Sequence, residues 1–319
     1  MIDAHRVAAF NVRIGRRLLA TATTTIKQKT DLRKKSLLVD GNNVLYHFYN
    51  QMSTITNGQV KNEAVDGLLR LLRRMDKTHC PEHILVVFDS KQRSIRSIIQ
   101  PDYKKDRPTT PYSLVTQFSY AKEALTAAGV NCIERQSMEA DDIIASYSTQ
   151  YTAYGFDVLL ISNDNDFLQL VHDGISEVAK LETTESTLND HDILPATIVE
   201  IYQPSRQRYV RERNVRGRFR LHPKLLPDFH ALCGHQWKKI PRVDHVTDEL
   251  AVHLLTQYGG LFPLLRHLDT VNDLILRNSL KQCISSIESS FRLVKLVNTV
   301  ALPVAIEELG RPRLNEPQF

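Results

Sequence analysis

The chain has few cysteines and no long apolar run. Its four cysteines, Cys80, Cys132, Cys233 and Cys283, are scattered over 319 residues with no Cys-x-x-Cys pair, which excludes a disulfide framework and a cysteine-held zinc site. They read as small buried hydrophobes in a reducing compartment. The longest apolar stretches, such as "ILVVF" and "DVLLIS", fall far short of the roughly 20 residues of a membrane helix, so a soluble chain without membrane contact is expected. No EF-hand spacing is present, which removes calcium storage. What remains is an ordinary globular composition, 42% hydrophobic and 24% charged. At roughly 150 residues per domain the length fits about two domains. A net charge of +5 is a mild pointer to a polyanionic partner.

Acidic residues are scarce in the first 35 positions. Only Asp3 and Asp31 face Arg6, Arg13, Arg16, Arg17, Lys27, Lys29, Arg33, Lys34 and Lys35, and an apolar face runs through Val7, Phe10, Ile14 and Leu18. This Arg-rich, hydroxyl-rich pattern is that of an organellar transit peptide, and a mitochondrial matrix destination is expected. A basic tail touching nucleic acid is the alternative.

From residue 36 short apolar runs alternate with helical patterns. "SLLVD", "HILVVFD", "VNCIE" and "DVLLISND" read as strands, and "NEAVDGLLRLLRRM", "YSLVTQFSYAKEALTAAG" and "ADDIIASYSTQYTAYG" as helices, the last two closed by Gly129 and Gly155. The first of these helices repeats Ala64, Leu68, Leu71, Leu72 and Met75 at helical spacing. Such alternation predicts an α/β fold with a parallel sheet.

In an open parallel sheet the ligand site lies outside the carboxyl ends of the strands. Asp40, Asp89 and Asp164 each follow an apolar strand, Asp166 stands two residues further on, and Glu139, Asp141 and Asp142 open the helix after the third strand. Singly these are ordinary turn and helix-start residues. Together, seven carboxylates in one small volume repel one another strongly unless cations neutralise them. An all-oxygen set favours Mg2+ or Mn2+ over zinc. Paired ions of this kind cleave phosphodiesters, so a nuclease is expected. "RSIRSIIQPDYKKDRP" adds Arg93, Arg96, Lys104, Lys105 and Arg107 beside that edge, where they can clamp phosphate, and Tyr103 can stack on a base.

The segments "VDGNN", "VVFDSKQRSIRSIIQPDYKKDRP", "EADDIIA" and "ISNDNDFLQLV" resemble the successive motifs of the 5′-nuclease family. That family includes bacterial and phage 5′-3′ exonucleases, the 5′-nuclease domain of bacterial repair DNA polymerase, and flap endonucleases. The likeness is close over residues 36 to about 171 and looser through "HPKLLPDFHALCG", "LAVHLLTQYGGL" and "SSFRLVKLVNTVALPV". It implies a PIN-like parallel sheet flanked by helices with a helical arch, followed by a helical domain with a helix-hairpin-helix that grips duplex DNA. It also implies that Asp40, Asp89, Glu139, Asp141, Asp164 and Asp166 are metal ligands with Asp142 in support. Lys104 and Arg107, and Arg96 near them, would act on the scissile phosphate. The expected division is a tail (1–35), a catalytic domain (36–180), an Arg-rich connection (181–220) and a helical nucleic-acid-binding domain (221–319).

The second half departs from the family pattern. Where Gly-Asp-x-x-Asp-Asn-Ile-Pro-Gly-Val is expected, the chain reads "GHQWKKIPRVDHVT". His235 and Lys238 replace the two carboxylates, Lys239 replaces the Asn, and Arg242 with "VDHVT" replaces hairpin glycines. The hairpin is therefore expected to be degenerate, because glycine is the residue that readily takes positive φ. In compensation, "SRQRYVRERNVRGRFR" offers Arg206, Arg208, Arg211, Arg213, Arg216, Arg218 and Arg220 with Tyr209 and Phe219 interleaved. Such a run suits phosphate and single-stranded RNA contacts, with Lys238, Lys239 and Arg242 adding to it. Two readings stay open, a mitochondrial metal-dependent 5′-nuclease acting on flaps, 5′ ends or RNA primers of DNA, RNA or a hybrid in replication and repair, and a catalytically weakened or inactive nucleic-acid-binding protein of RNA processing or ribosome assembly.

Overall fold

Strand β1 (Lys35–Asp40) alternates its side chains between two cores, Leu37 and Val39 to one side and Leu38 to the other, as the period of two requires. It pairs in parallel with β2 (His83–Phe88) and with β4 (Asp157–Ile161), so that Leu38 lies level with both Leu85 and Leu160. β3 (Asn131–Glu134) joins β2, and β5 (Val199–Gln203) joins β4, both in parallel. β6 (Arg208–Val210) closes the edge in antiparallel, giving the order β3-β2-β1-β4-β5-β6. A computed structural model describes residues 33–55, 62–90, 96, 109–174 and 197–315. The targeting expectation, the arch, and Arg93, Tyr103, Lys104, Lys105 and Arg107 lie outside the described residues.

Helices α1 (Gly41–Ile55), α2 (Glu63–His79) and α3 (Tyr112–Ala127) cover one face of the sheet. The stripe Ala64, Leu68, Leu71, Leu72 and Met75 is buried there. Helix α4 (Ala140–Ala153) covers the other face. Gly129 and Gly155 follow α3 and α4 at φ of 70° and 79°, the left-handed conformation that ends a helix. Helix α1 starts directly after β1. A Cβ at Gly41 would lie 2.6 Å from the Phe88 ring, so only glycine fits this turn.

Two expectations are corrected. The supposed Arg-rich connection contains two strands of the sheet and helix α5 (Glu212–Phe219), because the apolar residues of "VEIYQ" pair with β4. A helical part follows the sheet within residues 221–319. It comprises α6 (Leu226–Cys233), α7 (Asp248–Tyr258), α8 (Leu261–Arg266), α9 (Leu274–Gln282) and α10 (Ile284–Val294) around a separate core. Beyond α10 the chain runs back over the sheet's helices as a strap. Val297 and Val300 donate backbone N–H to Asp142 and Ser146, Tyr147 donates to the Val304 carbonyl, and Leu296, Ile306 and Leu309 enter the α4 core. Of the cysteines only Cys233 is buried, and Cys80 is exposed.

Candidate metal centre and nucleic-acid interface

The chain passes from β1 outward through β2 to β3 and then returns to the opposite side of β1 as β4. This reversal makes a switch point between β1 and β4, where open α/β sheets bind ligands. Asp40 ends β1, and Asp164 follows β4 by three residues, so both carboxylates flank that point.

A web of short polar side chains holds them. Asp40 accepts from Asn43 N–H at 3.0 Å and from the Ser162 hydroxyl at 2.9 Å. The Asn42 amide oxygen accepts from Asp89 N–H, and the Asn43 amide oxygen from Asn163 N–H, tying the ends of β1, β2 and β4 together. Asp89 accepts from Ala140 N–H at the start of α4, and Asp164 from Asp166 N–H at 2.8 Å. Asn42, Asn43 and Ser162 carry this web, and the motif reading gave them no role. Their signal was present, since Asn directly after a strand commonly bonds backbone nearby.

Asp141, Asp164 and Asp166 bring ligand oxygens within 4.8 Å of one another. Burial raises the Asp40 carboxyl from 3.8 to about 7, and the charges of Asp89 and Asp164 push the same way, against the bonds from Asn43 and Ser162. An oxygen-only set whose members disfavour one another's charge fits a hard divalent cation. Glu139 has its Oε2 3.1 Å from Arg96 Nη1.

Asp142 is corrected from supporting ligand to anchor. Successive helical residues point about 100° apart, and Asp142 is turned from Asp141 towards Arg96. Its two oxygens accept from Arg96 at 2.7 and 2.8 Å, and one also from Val297 N–H. Arg96 is corrected with it. Only 5% exposed, its guanidinium spans Glu139 and Asp142 and donates to the Lys295 carbonyl. It ties the start of α4 to the strap.

The altered turn is built differently from its expectation. Gly234 takes φ of 80°, and a Cβ there would meet the Ile240 carbonyl at 2.7 Å. Lys239 and His245 adopt positive φ of 54° and 64° without being glycine. Arg242, expected on nucleic acid, donates to the Val246 carbonyl and to Asp248 and so clasps the turn. Lys238, also expected on nucleic acid, points inward. Its side chain is 10% exposed, with Nζ 2.6 Å from Asp166 and 3.3 Å from the Leu293 carbonyl in the last turn of α10, an end that favours cations. His235 Nε2 lies 3.9 Å from Asp166, and burial lowers the imidazole's pKa. Trp237, the single tryptophan, faces outward from the same turn at 92% exposure.

All seven arginines of the 206–220 run are exposed, along β6 and α5. Ser205 N–H donates to Asn163 at 2.8 Å, so the β5–β6 turn begins beside the carboxylate edge. The interleaved aromatics make contacts within the chain, Phe219 half-buried and Tyr209 37% exposed. Tyr209 packs on Tyr202 and bonds His79, and Phe219 packs on Phe229.

Sequence comparison accords with this architecture. Residues 35–202 match the family profile of the 5′-3′ exonuclease N-terminal resolvase-like domain, and residues 221–317 that of the 5′-3′ exonuclease C-terminal SAM fold. The chain belongs to the 5′-3′ exonuclease family, with its PIN-like sheet followed by a helical domain. It is 28% identical over 286 residues to a 5′-3′ exonuclease of Aquifex aeolicus, covering 89% of each chain. It is equally similar to DNA polymerase I of Caldicellulosiruptor bescii, of whose length it spans 31%. Among solved structures, T5 5′-exonuclease with bound divalent metal ions (zinc) shares the fold at a TM-score of 0.63 and 17% identity, over 83% of this chain and 90% of that one.

Proposed function

We propose that this chain is a magnesium-dependent 5′-nuclease that hydrolyses phosphodiester bonds at 5′ ends and flaps of DNA or RNA primers, during mitochondrial DNA replication and repair. The observation that carries the reading is the convergence of Asp141, Asp164 and Asp166 within 4.8 Å at the sheet's switch point. Family membership, and relatives named as 5′-3′ exonucleases, support it. The cellular setting draws only on the acid-poor, Arg-rich first 35 residues.

Asp141 and Asp164, with Asp40, Asp89 and Glu139 around them, would hold the ion, and their oxygen-only donors suit Mg2+ or Mn2+. Such an ion supplies Lewis acidity that activates water and stabilises the departing oxygen. The chain's own residues do the positioning. Asn43 and Ser162 hold the Asp40 oxygens in place, and the Arg96 clamp fixes the start of α4. Lys104 and Arg107 take the scissile phosphate on the strength of their Tyr-Lys-x-x-Arg pattern. The exposed arginines between 206 and 220 take backbone phosphates of DNA, RNA or a hybrid.

The reading is tested by single-turnover cleavage of a 5′-labelled DNA flap and of an RNA/DNA hybrid with an overhang, in Mg2+ and in Mn2+, beside Asp141→Ala. Cleavage confined to the unchanged chain supports it. Tight binding of either substrate with no cleavage would favour the second reading, a protein that binds nucleic acid without cutting. That reading draws on one observation, the Lys238 ammonium seated on Asp166.

A further inference from the structure

The carboxylate set of this edge was expected to hold paired ions. The structure places a fixed cation among those carboxylates. Lys238 reaches in from the turn after α6, and its ammonium lies 2.6 Å from Asp166 Oδ2 and 3.3 Å from the Leu293 carbonyl. The side chain is nine-tenths buried. Both contacts are those an ammonium needs on leaving water, a carboxylate and a carbonyl at the negative end of a helix. Asp166 is also one of the three residues whose oxygens converge. A carboxylate oxygen at hydrogen-bond distance from an ammonium is a poor ligand for a second, doubly charged ion, because the two cations repel each other across a site largely closed to water.

We infer that Lys238 is the resident cation of the second position, and that this centre takes one divalent ion where a carboxylate at position 238 would let it take two. The inference rests on the nuclease reading for the class of ion and goes beyond it in stoichiometry and in the role of Lys238. His235 completes the same arrangement, since it brings an imidazole towards Asp166 rather than another carboxylate. Burial of the ammonium also explains the clasped turn. The backbone from Gly234 to Val246 passes through positive φ at Lys239 and His245, and Lys238 is delivered inward while Trp237 points out.

The test is the number of Mn2+ ions bound by the full chain, by isothermal titration and by electron paramagnetic resonance of free Mn2+, without substrate. The expected result is a single Mn2+ per chain. Lys238→Asp is expected to take a second ion, at least roughly tenfold tighter than any second ion of the unchanged chain. Lys238→Gln, which removes the charge from a polar side chain one bond shorter, is expected to fall between them, and it serves if the Asp variant does not fold by circular dichroism. Two ions of similar affinity on the unchanged chain would overturn the inference, as would a folded Lys238→Asp or Lys238→Gln chain that still takes one. Cleavage measured in parallel separates the claims. An unchanged chain that binds a single ion and cuts nothing defeats the nuclease reading and leaves the stoichiometry standing.

Discussion

Two regions line one centre and have opposite character. At the carboxyl edge of the sheet, anions are packed together, and neighbouring side chains and backbone N–H groups hold them, as Asn43 N–H and the Ser162 hydroxyl hold Asp40. In the turn from Gly234 to Val246 the side chains that reach the centre are a lysine and a histidine, and Arg242 clasps the end of the turn. The comparison teaches that one centre can be lined by anions from a sheet edge and by basic side chains from a turn. The turn takes left-handed conformations at Lys239 and His245 without glycine.

Asp141→Ala should give the largest effect on the first region. It removes a carboxylate proposed to hold the ion, and loss of several kcal/mol of transition-state stabilisation corresponds to a fall of at least about a hundredfold in single-turnover cleavage, with the fold retained by circular dichroism. Arg96→Ala leaves Glu139 and Asp142 without their buried cation and should cost about 3–5 kcal/mol by urea denaturation. Gly41→Ala forces a methyl into the Phe88 ring and should cost about 1–3 kcal/mol. In the second region His245→Gly relieves a left-handed side chain and should add up to about 1 kcal/mol, too little to alter metal binding. An effect of His245→Gly as large as that of Arg96→Ala would break the comparison.

Much of the first region was legible from residues alone. β1, β2 and β4 each carry an Asp at or just beyond an apolar run, and the parallel order turns those endings into one edge. The support web was less so, because it depends on which strand ends become neighbours, and Asn42 contacts Asp89 across 47 positions. Asp142 was misassigned because a run of acids does not show which of them faces the edge. Helical phase and an arginine 46 residues away decide that. The inward path of Lys238 was hidden for a similar reason. A lysine in an altered loop reads as surface until the helix whose carbonyl receives it is placed. The strap from Lys295 to Leu314 has no periodicity of its own and is held by contacts 150 or more positions away.

The central claim is that the first region's crowded carboxylates are held for a cation. With the Asp40 carboxyl raised from 3.8 to about 7, the folded chain binds more protons than the unfolded one between those values. Stability without metal should therefore fall as pH rises from about 4 to about 7. The most direct measurement is the melting temperature across pH 4 to 8, with chelator and with saturating Mn2+. The account predicts a decline through that window with chelator and, near pH 8, a rise of about 5 °C or more on adding Mn2+, much reduced in Asp141→Ala. A melting temperature indifferent to Mn2+ at pH 8, with no decline below it, would contradict the claim.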